Sequence, residues 1–128
     1  MKTLTKAEEQ VMQHLWSLKK AFLKDLMDSF ADPKPAYTTI STMVRILIEK
    51  EFIGFKQYGN NREYYPMIDR EDYLKGQFRG VLKSYFQGSF SKFASFYTGE
   101  ENISLEELEE IQTLIQSEIK TRKDAKDE

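Results

Sequence analysis

A helix that runs straight into a short hairpin, over residues 37–66, constrains this chain more than any other stretch. YTTISTMVRILIEKEF reads as the helix and IGFKQYGNNREYYP as the hairpin. At 100° per residue, Ile40, Val44, Leu47 and Glu51 fall in one sector, flanked by Met43 and Ile48. The opposite sector holds Thr38, Thr42, Arg45 and Glu49, with Ser41 at its edge. One face is therefore core, and the other is short, polar and uncluttered over its first two turns. Strand-like runs follow over residues 53–58 and 62–67. Gly59, Asn60 and Asn61 between them tolerate the positive φ that a tight hairpin needs.

The preceding residues complete a pattern. Residues 5–19 read as a first helix, opened by a capping box between Thr5 and Glu8. Leu4, Ala7, Val11, Leu15 and Leu18 recur there at helical spacing, with Met12 and Trp16 beside them. Residues 21–31 read as a second helix with Phe22, Leu23, Leu26, Met27 and Phe30 on one side. The DPKP run over residues 32–35 then forces a loop, because proline lacks an amide donor and disfavours a helical residue before it. Three helices and a two-stranded antiparallel wing, in this order, spell a winged helix-turn-helix over residues 1–68.

Residues 69–128 differ in kind. Asp69 starts another helix, along which Phe78, Leu82, Tyr85, Phe86, Phe90, Phe93 and Tyr97 form an aromatic stripe, with a break expected near Gly88. A polar loop is expected over residues 98–102. Ser104 and Glu107 have capping-box spacing, and Leu105, Leu108, Ile111, Leu114, Ile115 and Ile119 line one side of a last helix. The charged tail after Thr121 is expected to fray. Two stripes on about fifty residues make a marginal core for a lone domain. Packing against a second copy across a two-fold axis would bury them; folding back on the first three helices is the alternative. The fold class is thus mainly α with a small wing, a winged helix-turn-helix followed by a helical dimerisation domain.

Charge limits the function. The net charge of −2 excludes a generally basic nucleic-acid coat. Residues 1–68 hold 10 Lys and Arg against 8 Asp and Glu, a net of +2, while residues 69–128 hold 9 against 13, a net of −4. A nucleic-acid contact would belong to a local patch in the first half. Thr38, Thr39, Ser41, Thr42 and Arg45 suit a groove and its phosphates, and Lys56, Asn60, Asn61 and Arg62 suit the flanking backbone. Taken singly, each is also ordinary solvated surface.

Other chemistries have little to work with. Without cysteine there is no disulfide, thiolate metal site or thiol nucleophile. His14 is the lone histidine, and one imidazole does not make a metal site. Glu106, Glu107, Glu109 and Glu110 suit the positive end of a helix dipole better than a cation. No catalytic triad or phosphate loop is present, so neither an enzyme nor a cofactor is expected. The start lacks the apolar segment of a signal peptide, and no apolar run is long enough to span a bilayer, so a cytoplasmic protein is expected. A protein-interaction winged helix that never touches DNA is the competing reading, kept by the near-zero net charge and by Glu49 on the outer face.

At this point the residues resemble those of the penicillinase and methicillin-resistance repressors, a family that includes copper-responsive repressors. LTKAEEQVMQHLW looks like the family's opening helix, with its small-Ala-Glu start and Val-Met-x-x-Leu-Trp end. YTTISTMVRILIEKEFI is similar to its recognition helix, usually Thr-Val-x-Thr-Leu-Leu-x-Arg-Leu-x-x-Lys-Gly, with Glu51 in place of the glycine. KQYGNNREYYPMI resembles its wing, and EDYLKGQF, VLKSYFQGSFSKFASFY and SLEELEEIQTLI its dimerisation region. The resemblance covers residues 4–120. It implies a homodimer that represses by occupying inverted repeats in promoter DNA. It also implies a membrane metalloprotease sensor that triggers cleavage within the dimerisation region. The matching bond joins Ser95 to Phe96, and Ser95 departs from the usual Asn. The copper-responsive branch carries a cysteine motif that this chain lacks.

Overall fold

The computed structural model describes residues 3–99 and 102–127. Its elements run α1 (Lys6–Leu18), β1 (Ala21–Phe22), α2 (Leu23–Asp28), α3 (Tyr37–Glu49), β2 (Ile53–Tyr58), β3 (Asn61–Pro66), α4 (Arg70–Phe86), α5 (Phe90–Thr98) and α6 (Leu105–Lys126). The chain divides into two compact units, Met1–Gln77 and Phe78–Glu128.

In the first unit the amphipathic faces converge on one core. Val11, Met12 and Leu15 of α1, Leu26 of α2, and Ile40, Val44 and Leu47 of α3 are buried together with Phe52 and Ile53. Ala7 and Leu18, expected on the same stripe, are exposed, because α1 meets its neighbours over a narrower arc than the sequence pattern suggests. The capping box at the start of α1 forms: Thr5 Oγ1 accepts from the Glu8 amide at 3.2 Å, and Glu8 Oε1 accepts from the Thr5 amide at 3.1 Å.

Several boundaries differ from expectation: α2 ends at Asp28 instead of residue 31, and α3 ends at Glu49 instead of about residue 52, which leaves Glu51, placed in the core sector by the helical period, exposed beyond the helix. Ala21 and Phe22 are not helical but form β1, which pairs antiparallel with β3 through Tyr64 and Glu63. The wing is thus part of a three-stranded sheet in the order β1-β3-β2. Two residues carry no period of their own; their state is decided by β3, a partner some forty residues away in sequence. Asn61 belongs to β3, opposite Tyr58, which leaves a two-residue turn of Gly59 and Asn60. Gly59 has φ 59° and Asn60 has no positive φ, the pattern of a type II′ turn, whose first central position favours glycine. The first unit also runs past residue 68, into α4. Tyr73 is 2% exposed, packs against Trp16 and Phe52, and donates its hydroxyl to Glu9 Oε2 at 2.7 Å.

In the second unit, α4 ends at Phe86 and α5 starts at Phe90, with Gln87 and Gly88 between them at positive φ. Phe93 collects the rings of Phe78, Phe86, Phe90 and Tyr97 at centroid distances of 5.0 to 5.9 Å. Ser104 caps α6 by accepting from the Glu107 amide at 3.1 Å. α6 continues to Lys126 rather than fraying at Thr121, helped by the i,i+4 pair of Glu118 and Arg122 and by Lys123 and Lys126 in its last turn. Glu100 and Glu101, in the loop expected over residues 98–102, lie outside the described residues. Among the described residues, no helix is long and apolar enough to cross a membrane.

Candidate nucleic-acid interface

The polar face of α3 is where the helical period puts it. Thr38, Thr39, Thr42 and Arg45 are exposed, and Ser41 is half-buried at the edge. Opposite them, Ile40, Val44 and Leu47 are at most 2% exposed, so the helix cannot roll without exposing its core face. Glu49 is exposed at the C-terminal end. The family's customary arginine, counted back from Lys50 and Glu51, falls on half-buried Ile46, and the exposed cation stands one position earlier, at Arg45.

Two features hold α3 in place. At its start, Ala36 occupies the cap position without a side-chain cap, and its carbonyl accepts from the Thr39 amide at 3.0 Å and from the Ile40 amide at 3.1 Å. At its end, the Glu51 amide bonds the Ile48 carbonyl at 3.0 Å and the Phe52 amide bonds the Leu47 carbonyl at 2.9 Å. This is a Schellman arrangement, with Glu51 at φ 67° where glycine is the usual residue. Lys50, at the C-cap, reaches Glu8 Oε1 at 2.6 Å and the Thr3 carbonyl at 3.0 Å. Glu8 is 4% exposed. Burial pushes its carboxyl pKa up, but the bond from Lys50, the bonds from Thr5 and the Lys50 charge outweigh that and hold it below 4.5. Sequence reading missed this pair as a pair; both residues lie in segments that carry the family pattern.

The wing separates its two cations. Phe55, Gln57, Arg62 and Tyr64 share one face of the hairpin, while Lys56 and Tyr58 share the other. Lys56 lies 5.3 Å from the Tyr58 ring. Arg62 lies 4.2 Å over the Phe55 ring, and its Nε donates to Gln57 Oε1 at 3.1 Å. Gln57 in turn donates to the Gly59 carbonyl at 2.9 Å, so the guanidinium is held from two sides. Lys56 and Arg62, expected to act alike, therefore face different directions. Arg62, Asn60 and Asn61 instead line an open cleft of about 440 Å³ together with Phe22, Leu23, Lys24, Tyr37 and Tyr64. Lys24 and Tyr37 carried no period or motif that would single them out in sequence.

The residues expected to pair two copies are in the second unit, where no described residue is buried. Tyr85 is 73% exposed and Leu114 69%; Phe90, Tyr97, Ile111 and Ile115 are exposed too, and Leu82, Phe86, Phe93 and Leu108 half-buried. The bond between Ser95 and Phe96 lies inside α5, with the Phe96 ring 5.5 Å from Phe86.

His14 and Trp16 have structural work. His14 Nδ1 bonds Ser29 Oγ at 2.9 Å, with the ring stacked on Phe30 at 3.8 Å, and Trp16 Nε1 donates to the Ile68 carbonyl at 2.8 Å.

A solved structure supports the winged-helix fold of the first unit. The structure is similar to the DNA-binding domain of the repressor BlaI, with a TM-score of 0.50 and 27% identity over 57% of this chain and 94% of that domain. A lesser likeness is to the CopR repressor, with a TM-score of 0.44 and 23% identity over 53% of this chain and all of that one. No curated protein matches at a comparable level of significance. The family model of the penicillinase repressor matches residues 4–117, most of the chain. The chain belongs to the penicillinase repressor family.

Proposed function

We propose that this protein is a homodimeric, DNA-binding transcriptional repressor that occupies inverted repeats in promoters. Family membership and the likeness to the BlaI DNA-binding domain support the DNA role. The exposed Thr38, Thr42 and Arg45 face suits base edges, Thr39 and Ser41 suit phosphates near the helix start, and the wing suits the flanking backbone. Of the wing residues, Arg62 is the stronger backbone anchor, because Gln57 and Phe55 already order it.

One observation carries the dimer: from Phe78 onward no described residue is buried, although the unit is rich in large apolar side chains. A second copy covers such stripes and brings two copies of α3 to half-sites about 34 Å apart or a multiple of it. Release by a membrane metalloprotease sensor at Ser95 and Phe96 requires α5 to unwind there first, because a helical bond is closed to a protease's extended site. The test is a titration of the dimer against the promoter DNA of its own gene and a scrambled duplex. Preference for the promoter, lost steeply with salt, is the expected result. Equal binding to both would end the repressor reading.

A further inference from the structure

β1 covers β3 only at Tyr64 and Glu63, so Asn61 and Arg62 keep an open edge on that side. The cleft beside this edge brings together Lys24 from α2, Tyr37 from the first position of α3, and Asn60, Asn61 and Arg62 from the wing. Its lining holds two cations and no carboxylate. Among the described residues the ion pairs are Glu8 with Lys50 and Glu118 with Arg122, so neither Lys24 nor Arg62 is neutralised. Arg62 spends its Nε on Gln57 and lays the face of its guanidinium on the Phe55 ring, which leaves the terminal guanidinium donors for something else. Tyr37 is 60% exposed, so its ring and hydroxyl are open to a partner at the start of α3.

These groups match a phosphodiester. It carries one negative charge and two free oxygens, which a fixed guanidinium can take side by side. Lys24 adds a point charge, and the Tyr37 hydroxyl and the Asn60 and Asn61 amides add neutral donors, all residue types that contact the DNA backbone. We propose that this cleft seats a backbone phosphate of the bound DNA, with Lys24 and Tyr37 closing on it opposite Arg62. The seat rests on the DNA-binding reading above and adds two contact residues that lie outside both the α3 face and the wing. Its role is positional: a phosphate held between the start of α3 and the wing sets the angle at which α3 enters the groove.

The experiment uses the full chain, with the promoter duplex and a scrambled duplex as probes across a salt series. Lys24→Gln lowers affinity for both duplexes by the same factor, about fivefold, and makes the slope of log affinity against log salt shallower by about 1. Tyr37→Phe removes a neutral donor, so it lowers both affinities about threefold and leaves the slope unchanged. Both side chains are exposed, and the thermal midpoints of both variants should equal that of the wild type. Wild-type binding that neither substitution alters, while Arg62→Gln weakens it, overturns the seat and leaves the wing contact standing. A wild-type chain that binds neither duplex at low salt overturns the DNA reading and the seat together.

Discussion

The carboxylate of Glu8 and the ammonium of Lys50 meet at 2.6 Å, tying the first turn of α1 to the C-cap of α3. The pair is 42 residues apart in sequence, and it fixes the end of α3 opposite the end that carries the polar readers. Lys50→Met leaves a buried carboxylate without its counter-charge, and should cost about 2–3 kcal/mol in urea unfolding at neutral pH. Because the folded state holds the Glu8 pKa below 4.5, the pair's contribution is full above that value and is lost as pH falls through the folded value. A urea series descending below pH 4.5 should show wild type and Lys50→Met converging.

Glu51 stands at φ 67°, in the left-handed region that an L side chain enters at a cost of about 1–2 kcal/mol. Glu51→Gly should raise stability by about 1 kcal/mol, read as a higher urea midpoint at unchanged slope. A β-branched replacement such as Glu51→Val should lower it.

Tyr73 is held protonated by burial and by its hydrogen bond to Glu9, which push its phenol up to about 12. The folded value lies above the ordinary 10.0, so the contribution is full below pH 10.0 and fades as pH rises towards 12. Ultraviolet titration should show one tyrosine ionising late, and Tyr73→Phe should remove that late step. The same substitution should cost about 1 kcal/mol by freeing Glu9 from its partner.

Arg45→Ala should weaken promoter binding more than scrambled binding, by up to about 1–3 kcal/mol of discrimination if its contact is a bidentate one to guanine. Arg62→Ala should weaken both alike, as a phosphate contact does. Anisotropy titrations with the two duplexes separate these outcomes, and equal negligible effects would remove both assignments.

Tyr85 is 73% exposed in the single chain, so Tyr85→Lys should leave the monomer's stability within about 0.5 kcal/mol. If the aromatic stripe is the dimer contact, the same change should shift sedimentation from dimer to monomer at micromolar concentration. An unchanged dimer would place the contact elsewhere.

The sequence by itself determined the elements that carry their own period or cap. α1 with its Thr5–Glu8 box, the buried and exposed sectors of α3, the wing hairpin, the break near Gly88 and the Ser104 cap are all local patterns, written within a few turns of chain. They also carried the resemblance that the family model bears out. Tertiary structure decided what depends on a distant partner. Ala21 and Phe22 are a strand because Tyr64 and Glu63 offer an edge, and Tyr73 belongs to the first unit because Trp16, Phe52 and Glu9 enclose it. Lys56 and Arg62 part company because pleating sends alternate residues to opposite faces once register is set. The cleft that joins Lys24 and Tyr37 to Arg62 exists only after α2, α3 and the wing have packed, since no short-range pattern relates positions so far apart along the chain.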